Sequence, residues 1–391
     1  MAGSLEKRGK DSWRLIVSCG MGPDGKQVKK TKTVKAASRR EAEKLLAEFV
    51  TEVQKGLYVA PSKLTFKDFA ERWVRDYGEV NLAPKTLHRY KQILARAVEA
   101  MGHLKMEKIK PLHLVEFYKN LQEDGVREDG KTGALSEATI LYHHRVLNKL
   151  FNDAVGWEII PSNPASKVKP PKAKKKQAAC YDEKQTAALL TALDSEPLQY
   201  KTIVILALAT GLRRGELMGL EWQDVDFENG TIEVRQASQY VPGIGTFTKE
   251  PKNETSKRVI AVPRSVMALL KQYKAQQTEE RLKVGDLWQG SNRLFTTWDG
   301  KPMFPDTISK WFPQFLRRHN LPHITFHGLR HTSATLLIAE GVNLKNVSRR
   351  LGHSSISTTG DIYAHALRSA DQEAAAKLDK LFTANRNVGR N

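Results

Sequence analysis

Hydrophobic and polar positions along the chain change period twice. Near the start, Trp13–Ser18 and Val28–Val34 read as two strands, with Gly22-Pro23-Asp24-Gly25 as the turn between them. A helix follows from about Ser38, where Ser38 and Glu41 make a capping box. Ala42, Leu45, Leu46 and Phe49 give that helix one apolar face to lay on the small sheet, leaving the other sheet face free. From Thr65 to about Trp157 the period is helical: Phe66, Phe69, Ala70, Trp73; Leu87, Tyr90, Ile93, Leu94; Leu114, Phe117, Tyr118, Leu121; Ile140, Val146, Leu147, Leu150, Phe151. Four or five amphipathic helices predict a bundle, and aromatics at that spacing read as its core. The remainder mixes helices with strands at Thr231–Arg235 and Arg258–Val262. Ile203–Ala209 is the apolar centre of a helix. A further helix runs from His327 to Gly341, and a short one from Leu344 to Leu351 is ended by Gly352.

Length and charge refine this picture. A chain of 391 residues exceeds one core. The expected division is 1–62, 63–160, a linker over 161–177, and 178–391. Within the linker, prolines 161, 164, 170 and 171 alternate with six lysines and no acid, which reads as a basic spacer. The 63 Lys+Arg against 43 Asp+Glu leave a net charge of +20, a field suited to a polyanion. Residues 1–62 hold 13 Lys+Arg against 7 Asp+Glu, and Arg14, Lys26, Lys29, Lys30 and Lys32 are read as a basic sheet able to enter a DNA groove. Lys174, Lys175 and Lys176 are candidates for the phosphate backbone. The longest apolar run, Ile203–Ala209, is seven residues, far short of the ~20 that span a bilayer. Cys19 and Cys180 make no disulfide framework or metal-ligand set. A cytoplasmic, nucleoid-associated bacterial protein is expected.

Chemistry concentrates in the last segment. In Thr210-Gly211-Leu212-Arg213-Arg214-Gly215-Glu216-Leu217 two arginines stand where a buried helix meets a glycine-flanked turn. Arg213 is preferred over Arg214, because Glu216 lies three residues on and is spaced to orient its planar fork of donors. In His327-Gly328-Leu329-Arg330 the spacing of three brings an imidazole and a second guanidinium to one face, with Leu329 pointing into the core and His331 a decoy. His353 follows Gly352, and Tyr363 lies ten residues later. Two arginines, two histidines and a tyrosine are what attack on a phosphodiester requires: guanidinia for the non-bridging oxygens, imidazoles to donate or to take the phenol's proton. A lysine on the tip of the hairpin between the two later strands would protonate the leaving 5′-oxygen. Lys249, Lys252 and Lys257 are available there, with Lys252 preferred.

The strings TGLRRGEL, HGLRHTSATLL and RRLGHSSISTTGDIYAH, in this order, resemble the tyrosine recombinase (phage integrase) family. Residues 63–160 are similar to the family's core-site DNA-binding domain and 1–62 to the arm-binding domain of integrases from phages and conjugative transposons. The resemblance implies a multidomain α+β chain: a small three-stranded sheet with a helix, a helical bundle, and a mainly α catalytic domain with a small antiparallel sheet. It implies Arg213 and Arg330 as phosphate clamps, Lys252 as general acid, His327 and His353 in support, Glu216 as helper and Tyr363 as nucleophile. The reaction would be strand exchange through a 3′-phosphotyrosyl link, needing no metal or other cofactor. Double-stranded DNA of core and arm type, a homotetramer on synapsed sites and a small directionality factor are the implied partners. Gly360 departs from the pattern by disfavouring helix by roughly 0.8–1 kcal/mol relative to alanine, so the tyrosine segment is expected to be mobile before it engages DNA. Ala374, Ala375, Leu378, Leu381 and Phe382 form a last apolar stripe, to pack in cis or on a neighbour.

Four other readings compete. A DNA-binding regulator on the same fold would not keep the six-residue set. A related topoisomerase would relax DNA without exchanging partners. A metal-dependent nuclease would need a carboxylate cluster, and none stands out. A chromosome-dimer resolvase would not need residues 1–62, so an integrase of a mobile element is favoured.

Overall fold

A computed structural model describes residues 3–22, 25–55, 58, 63–173, 179–249, 257–352, 360, 375, 378 and 379. The chain divides into two compact units, Met1–Lys175 and Lys176–Asn391.

The first unit opens with an antiparallel sheet in the order β1 (Gly3–Lys7), β2 (Ser12–Met21), β3 (Gln27–Lys35). The strand β1 is short and half polar, which is why its pattern predicts nothing. Helix α1 (Arg39–Gln54) starts as expected, with the Glu41 amide donating to Ser38 Oγ at 3.2 Å. It lays Ala42, Phe49 and Val53 over Leu15 and Val17.

Pleating corrects the expected basic face. In the β2–β3 register Leu15 stands opposite Lys32 and Val17 opposite Lys30, so both lysines share the helix-covered face. The Lys32 ammonium meets Glu52 at 2.8 Å and lies over the Phe49 ring, and the Lys30 ammonium lies over the Tyr58 ring. Arg14, opposite Thr33, and Lys29, opposite Ser18, are on the open face. Consecutive residues of a strand cannot point the same way, so Lys29 and Lys30 were bound to part.

Helix α2 (Phe66–Trp73), capped reciprocally by Thr65 and Asp68, passes through a π turn (Val74–Gly78) into α3 (Glu79–Asn81). Helices α4 (Pro84–Met101), α5 (Pro111–Asn120) and α6 (Glu137–Gly156) complete the bundle. Phe66, Phe69, Trp73, Phe117 and Phe151 are buried in it, so the aromatics are core, as their spacing predicts. Part of the expected linker is bundle as well. Ala165 and Val168 are buried in the same core, and the Asn163 amide donates to the side chains of Asn148 at 2.8 Å and Asn152 at 2.7 Å. Two apolar residues and one capping amide among the prolines suffice to dock 161–168, and the lysines obscured that.

The second unit contains α7 (Glu183–Ala192), α8 (Leu198–Thr210), α9 (Arg214–Gly219), β4 (Val225–Asp226), β5 (Thr231–Val234), β6 (Ala237–Val241), β7 (Gly245–Lys249), β8 (Arg258–Ala261), α10 (Arg264–Val284), α11 (Pro305–Arg318), α12 (Gly328–Ala339) and α13 (Leu344–Leu351). Strands β4, β5 and β8 form one antiparallel sheet. The two expected strands do pair, Ile232 opposite Ile260, but they are not the arms of one hairpin. A separate ribbon, β6 with β7, is inserted between them. Its polar strands hide it from periodicity, although Pro242-Gly243 marks its turn. Gly219 allows the ribbon to sit close: a Cβ there would lie 3.0 Å from the backbone of Gln236 and Ala237. Among the described residues no helix is long and apolar enough to cross a membrane.

Candidate phosphodiester site

The site is assembled where the C-terminal end of a buried helix meets the start of α12 and the end of α13. Helix α8 carries Ile203, Val204 and Leu206 into the core and stops at Gly211, which adopts φ +65°. That reversal turns the chain so that Arg213 becomes the N-cap of α9. Glu216 then accepts the Arg213 amide at 3.0 Å and its Nη1 at 2.8 Å, the orienting contact expected from the spacing of three. Arg214 is directed away, pairing with Asp306 on α11 at 2.8 Å.

His327 precedes α12, and Arg330 lies in its first turn with only 2% of its surface exposed. The two arginines are fixed crosswise by backbone. Arg330 Nη1 donates to the Gly211 carbonyl at 2.8 Å, and Arg213 Nη2 donates to the Gly352 carbonyl at 3.0 Å. Both carbonyls belong to glycines in the left-handed region, at φ +65° and +67°. Leu351 packs against Gly211 so closely that a Cβ there would lie 2.5 Å from its Cδ2. Alanine at 211 is therefore opposed by conformation and by contact.

Two further guanidinia belong to the cluster and escape sequence reasoning. Arg258, at the start of β8, donates from Nη2 to Glu216 Oε2 at 2.8 Å and from Nε to the Arg350 carbonyl at 2.8 Å. Arg350 reaches the carbonyls of Ala209 at 2.7 Å and Ala261 at 3.0 Å. One clue was available for Arg258: it sits two residues before buried Ile260, hence on the inward face of its strand, while Val259 between them is exposed.

Arg213 and Arg258 share the Glu216 carboxylate, while Arg330 and Arg350 are held by backbone carbonyls, so the cluster carries an excess of positive charge that an anion would neutralise. Burial pushes the Glu216 pKa up, but Arg258 and then Arg213 more than offset it and leave it below the ordinary carboxylate range. His327 is pulled down to about 4, first by desolvation in this packed concavity and then by the charges of His331, Arg330 and Arg213. The residue as a whole is nonetheless exposed to solvent. The two imidazoles meet edge to face at 5.0 Å, so His331, set aside as a decoy by the sequence reading, is a close neighbour of His327.

Lys252, His353 and Tyr363 lie outside the described residues, as do Lys174, Lys175, Lys176 and most of the expected C-terminal stripe. Their flanks are described. Lys249 ends β7, Lys257 immediately precedes β8, and Gly352, the residue before His353, touches both Arg213 and Arg258. Gly360 is itself helical.

Residues 180–369 match the phage integrase family, and residues 65–122 match the SAM-like N-terminal domain of phage integrases. The chain is 29% identical to a XerC-like tyrosine recombinase of Caldanaerobacter subterraneus, over 96% of this chain and 98% of that protein. It is 27% identical to the ICEBs1 integrase of Bacillus subtilis, over 97% of this chain and all of that protein. Among solved structures, the Tn1549 transposon integrase bound to circular-intermediate DNA superposes with a TM-score of 0.65 at 22% identity, covering 80% of this chain and all of that one. A λ integrase dimer on a core site gives 0.56 at 18% identity, covering 92% and 94%. These two likenesses establish a shared fold.

Proposed function

The chain belongs to the phage integrase (tyrosine recombinase) family and is a site-specific recombinase, and from that premise we propose the part each residue plays. Arg213 and Arg330 clamp the non-bridging oxygens of the scissile phosphate. Tyr363 Oη attacks the phosphorus, and the bond to the 5′-oxygen breaks. The phenol's proton passes to an imidazole of the site and Lys252 protonates the leaving oxygen, so the products are a 3′-phosphotyrosine and a 5′-hydroxyl. The 5′-hydroxyl of a partner strand reverses the step and exchanges the strands. His327 is neutral at pH 7, because its pKa is held down, and so can give an N–H to the phosphate while its other nitrogen accepts. His353 supports the same oxygens.

The observation that carries this reading is the crosswise pinning of Arg213 and Arg330 by the carbonyls of Gly352 and Gly211. Two guanidinia held at fixed separation, with one carboxylate behind them and an imidazole beside them, are preorganised for an oxyanion whose charge grows in the transition state. Double-stranded DNA is the substrate. We place core-site contacts in the bundle, arm-site contacts on the open sheet face through Arg14 and Lys29, and Lys174–Lys176 along the backbone between sites. Residues 1–62, 63–160 and 178–391 act as the three DNA-engaging domains of an integrase of a mobile element. It works as a homotetramer on synapsed sites, with a small directionality factor and in association with the nucleoid.

The test is a nicked duplex carrying the DNA junction that flanks the gene, incubated with the full chain. A covalent protein–DNA adduct is expected from the parent protein and none from Tyr363→Phe; an adduct from Tyr363→Phe would overturn the assignment.

A further inference from the structure

We infer that Arg258 is a positioning residue for the cleavage step: it holds Glu216 in the orientation that presents Arg213, and it ties that pair to the end of α13. The inference rests on the reading of Arg213 as a phosphate clamp and deepens it.

The geometry is a closed ring of contacts through three elements far apart in sequence. From β8, Arg258 spans Glu216 Oε2 and the Arg350 carbonyl, both at 2.8 Å. From α9, Glu216 takes the Arg213 amide at 3.0 Å and Nη1 at 2.8 Å. Arg213 Nη2 closes the ring on the Gly352 carbonyl at 3.0 Å, two residues beyond the carbonyl that Arg258 occupies. The Arg258 side chain is 6% exposed and that of Glu216 is 7% exposed, whereas that of Arg213 is 40% exposed. Exposure therefore rises along the ring: the two buried members face one another, and only the third offers its fork outward. A guanidinium is the one side chain that fits the Arg258 position, because its planar donors diverge and can serve a carboxylate and a carbonyl together. Gly352 keeps the gap closed, since a Cβ there would stand 2.8 Å from Arg258 Nη1.

Two consequences separate this role from mere support of the fold. Arg258 begins the strand that follows the lysine loop and touches the turn that precedes His353, so its loss should slow chemistry without weakening the hold on DNA. It is also the first of the groups that keep Glu216 ionised in spite of burial. The charged and titratable groups facing this centre are Arg213 on α9, Arg258 on β8, Arg350 on α13, Arg330 on α12 and the neutral His327 ahead of it. With Arg258 removed, only Arg213 opposes the desolvation, and the Glu216 pKa should rise. As pH falls, Glu216 takes a proton and releases Arg213.

The experiment uses the full chain, the same nicked duplex and excess protein, and measures the adduct-forming rate constant, the duplex dissociation constant and the melting temperature. Arg258→Met should slow adduct formation on the order of 10- to 100-fold while the dissociation constant stays within about twofold. The deficit should widen as the pH is lowered. In a Glu216→Gln background the same change should cost little more and lose that pH dependence. Arg258→Lys should recover part of the rate, since an ammonium reaches one partner and not both.

The proposal is overturned by a normal rate in Arg258→Met, by rate and affinity falling together, or by a deficit that is undiminished in Glu216→Gln. Should Arg258→Met fail to fold, Arg258→Lys decides: a normal rate with a lowered melting temperature means a structural role only. Failure of the underlying clamp reading shows separately, as a normal rate in Arg213→Lys whatever Arg258 does.

Discussion

The open sheet of the first unit and the arginine cluster of the second both gather cations, yet they hold them in opposite ways. On the open face, Arg14 lies 3.8 Å from Glu6 with 37% and 44% of the two side chains exposed. Such solvated pairs are worth about 0–1 kcal/mol and leave the side chains free to reorient. In the cluster, Arg258 and Glu216 are almost wholly buried, and each guanidinium has a backbone carbonyl or a carboxylate fixed opposite it. The first arrangement suits a long polyanion met in many registers. The second suits one phosphate in one place. Counting cations cannot distinguish the two; what each cation is tied to can.

The sharpest break in that comparison comes from Arg213→Lys. An ammonium keeps the charge and loses the fork, so cleavage should fall roughly 10²–10³-fold while most DNA affinity remains. Quantified adduct formation beside a binding titration checks this, and equal activity would place Arg213 with the surface cations. Next is Leu351→Ala, which removes the wholly buried side chain that seats α13 against Gly211. It should cost roughly 2–5 kcal/mol, read as a lower melting temperature of the second unit, with the sheet of the first unit unmoved.

A third measurement concerns protons. His327 should titrate in DNA-free protein well below the 6.5 of a free imidazole, followed by its ring resonances. The sign is fixed by linkage: between pH 6.5 and about 4 the unfolded chain binds a proton that the folded one refuses, so stability falls as pH falls through that window, and less so in His327→Gln. A midpoint at or above 6.5 would contradict the cationic character of the pocket. The smallest effects belong to the sheet. Lys29→Ala and Arg14→Ala should each weaken arm-DNA binding and flatten its salt dependence by about one phosphate contact, and Lys32→Ala, turned to the helix, by less. Equal losses for Lys29 and Lys32 would show that the pleat does not govern contact.

Much of this was legible in the sequence, for a local reason. The pairing of Arg213 with Glu216, the approach of His327 to Arg330 and the aromatic core of the bundle all depend on helical spacing within one segment. Contacts that span segments were not legible. Arg258 meets Glu216 across 42 positions and Arg213 meets Gly352 across 139, and no local spacing pairs either set of partners. The ribbon β6–β7 was missed because its strands are polar, and the docking of 161–168 because a lysine-rich composition masked Ala165 and Val168. The basic sheet departs from its composition for a simpler cause: neighbouring cations along a strand alternate between its two faces.

The crosswise carbonyls have one further consequence. The groups that aim Arg213 and Arg330 are peptide oxygens, which no side-chain substitution can exchange, and each belongs to the turn that presents the opposite half of the site. Neither arginine can therefore be retuned alone. Lifting α13 would release Arg213 at once and withdraw Leu351 from the turn at Gly211 that secures Arg330, so the site is either whole or absent. On the proposed reading of these arginines, competence to cut would be a threshold property of local folding, set by the seating of α13 on the turn at Gly211.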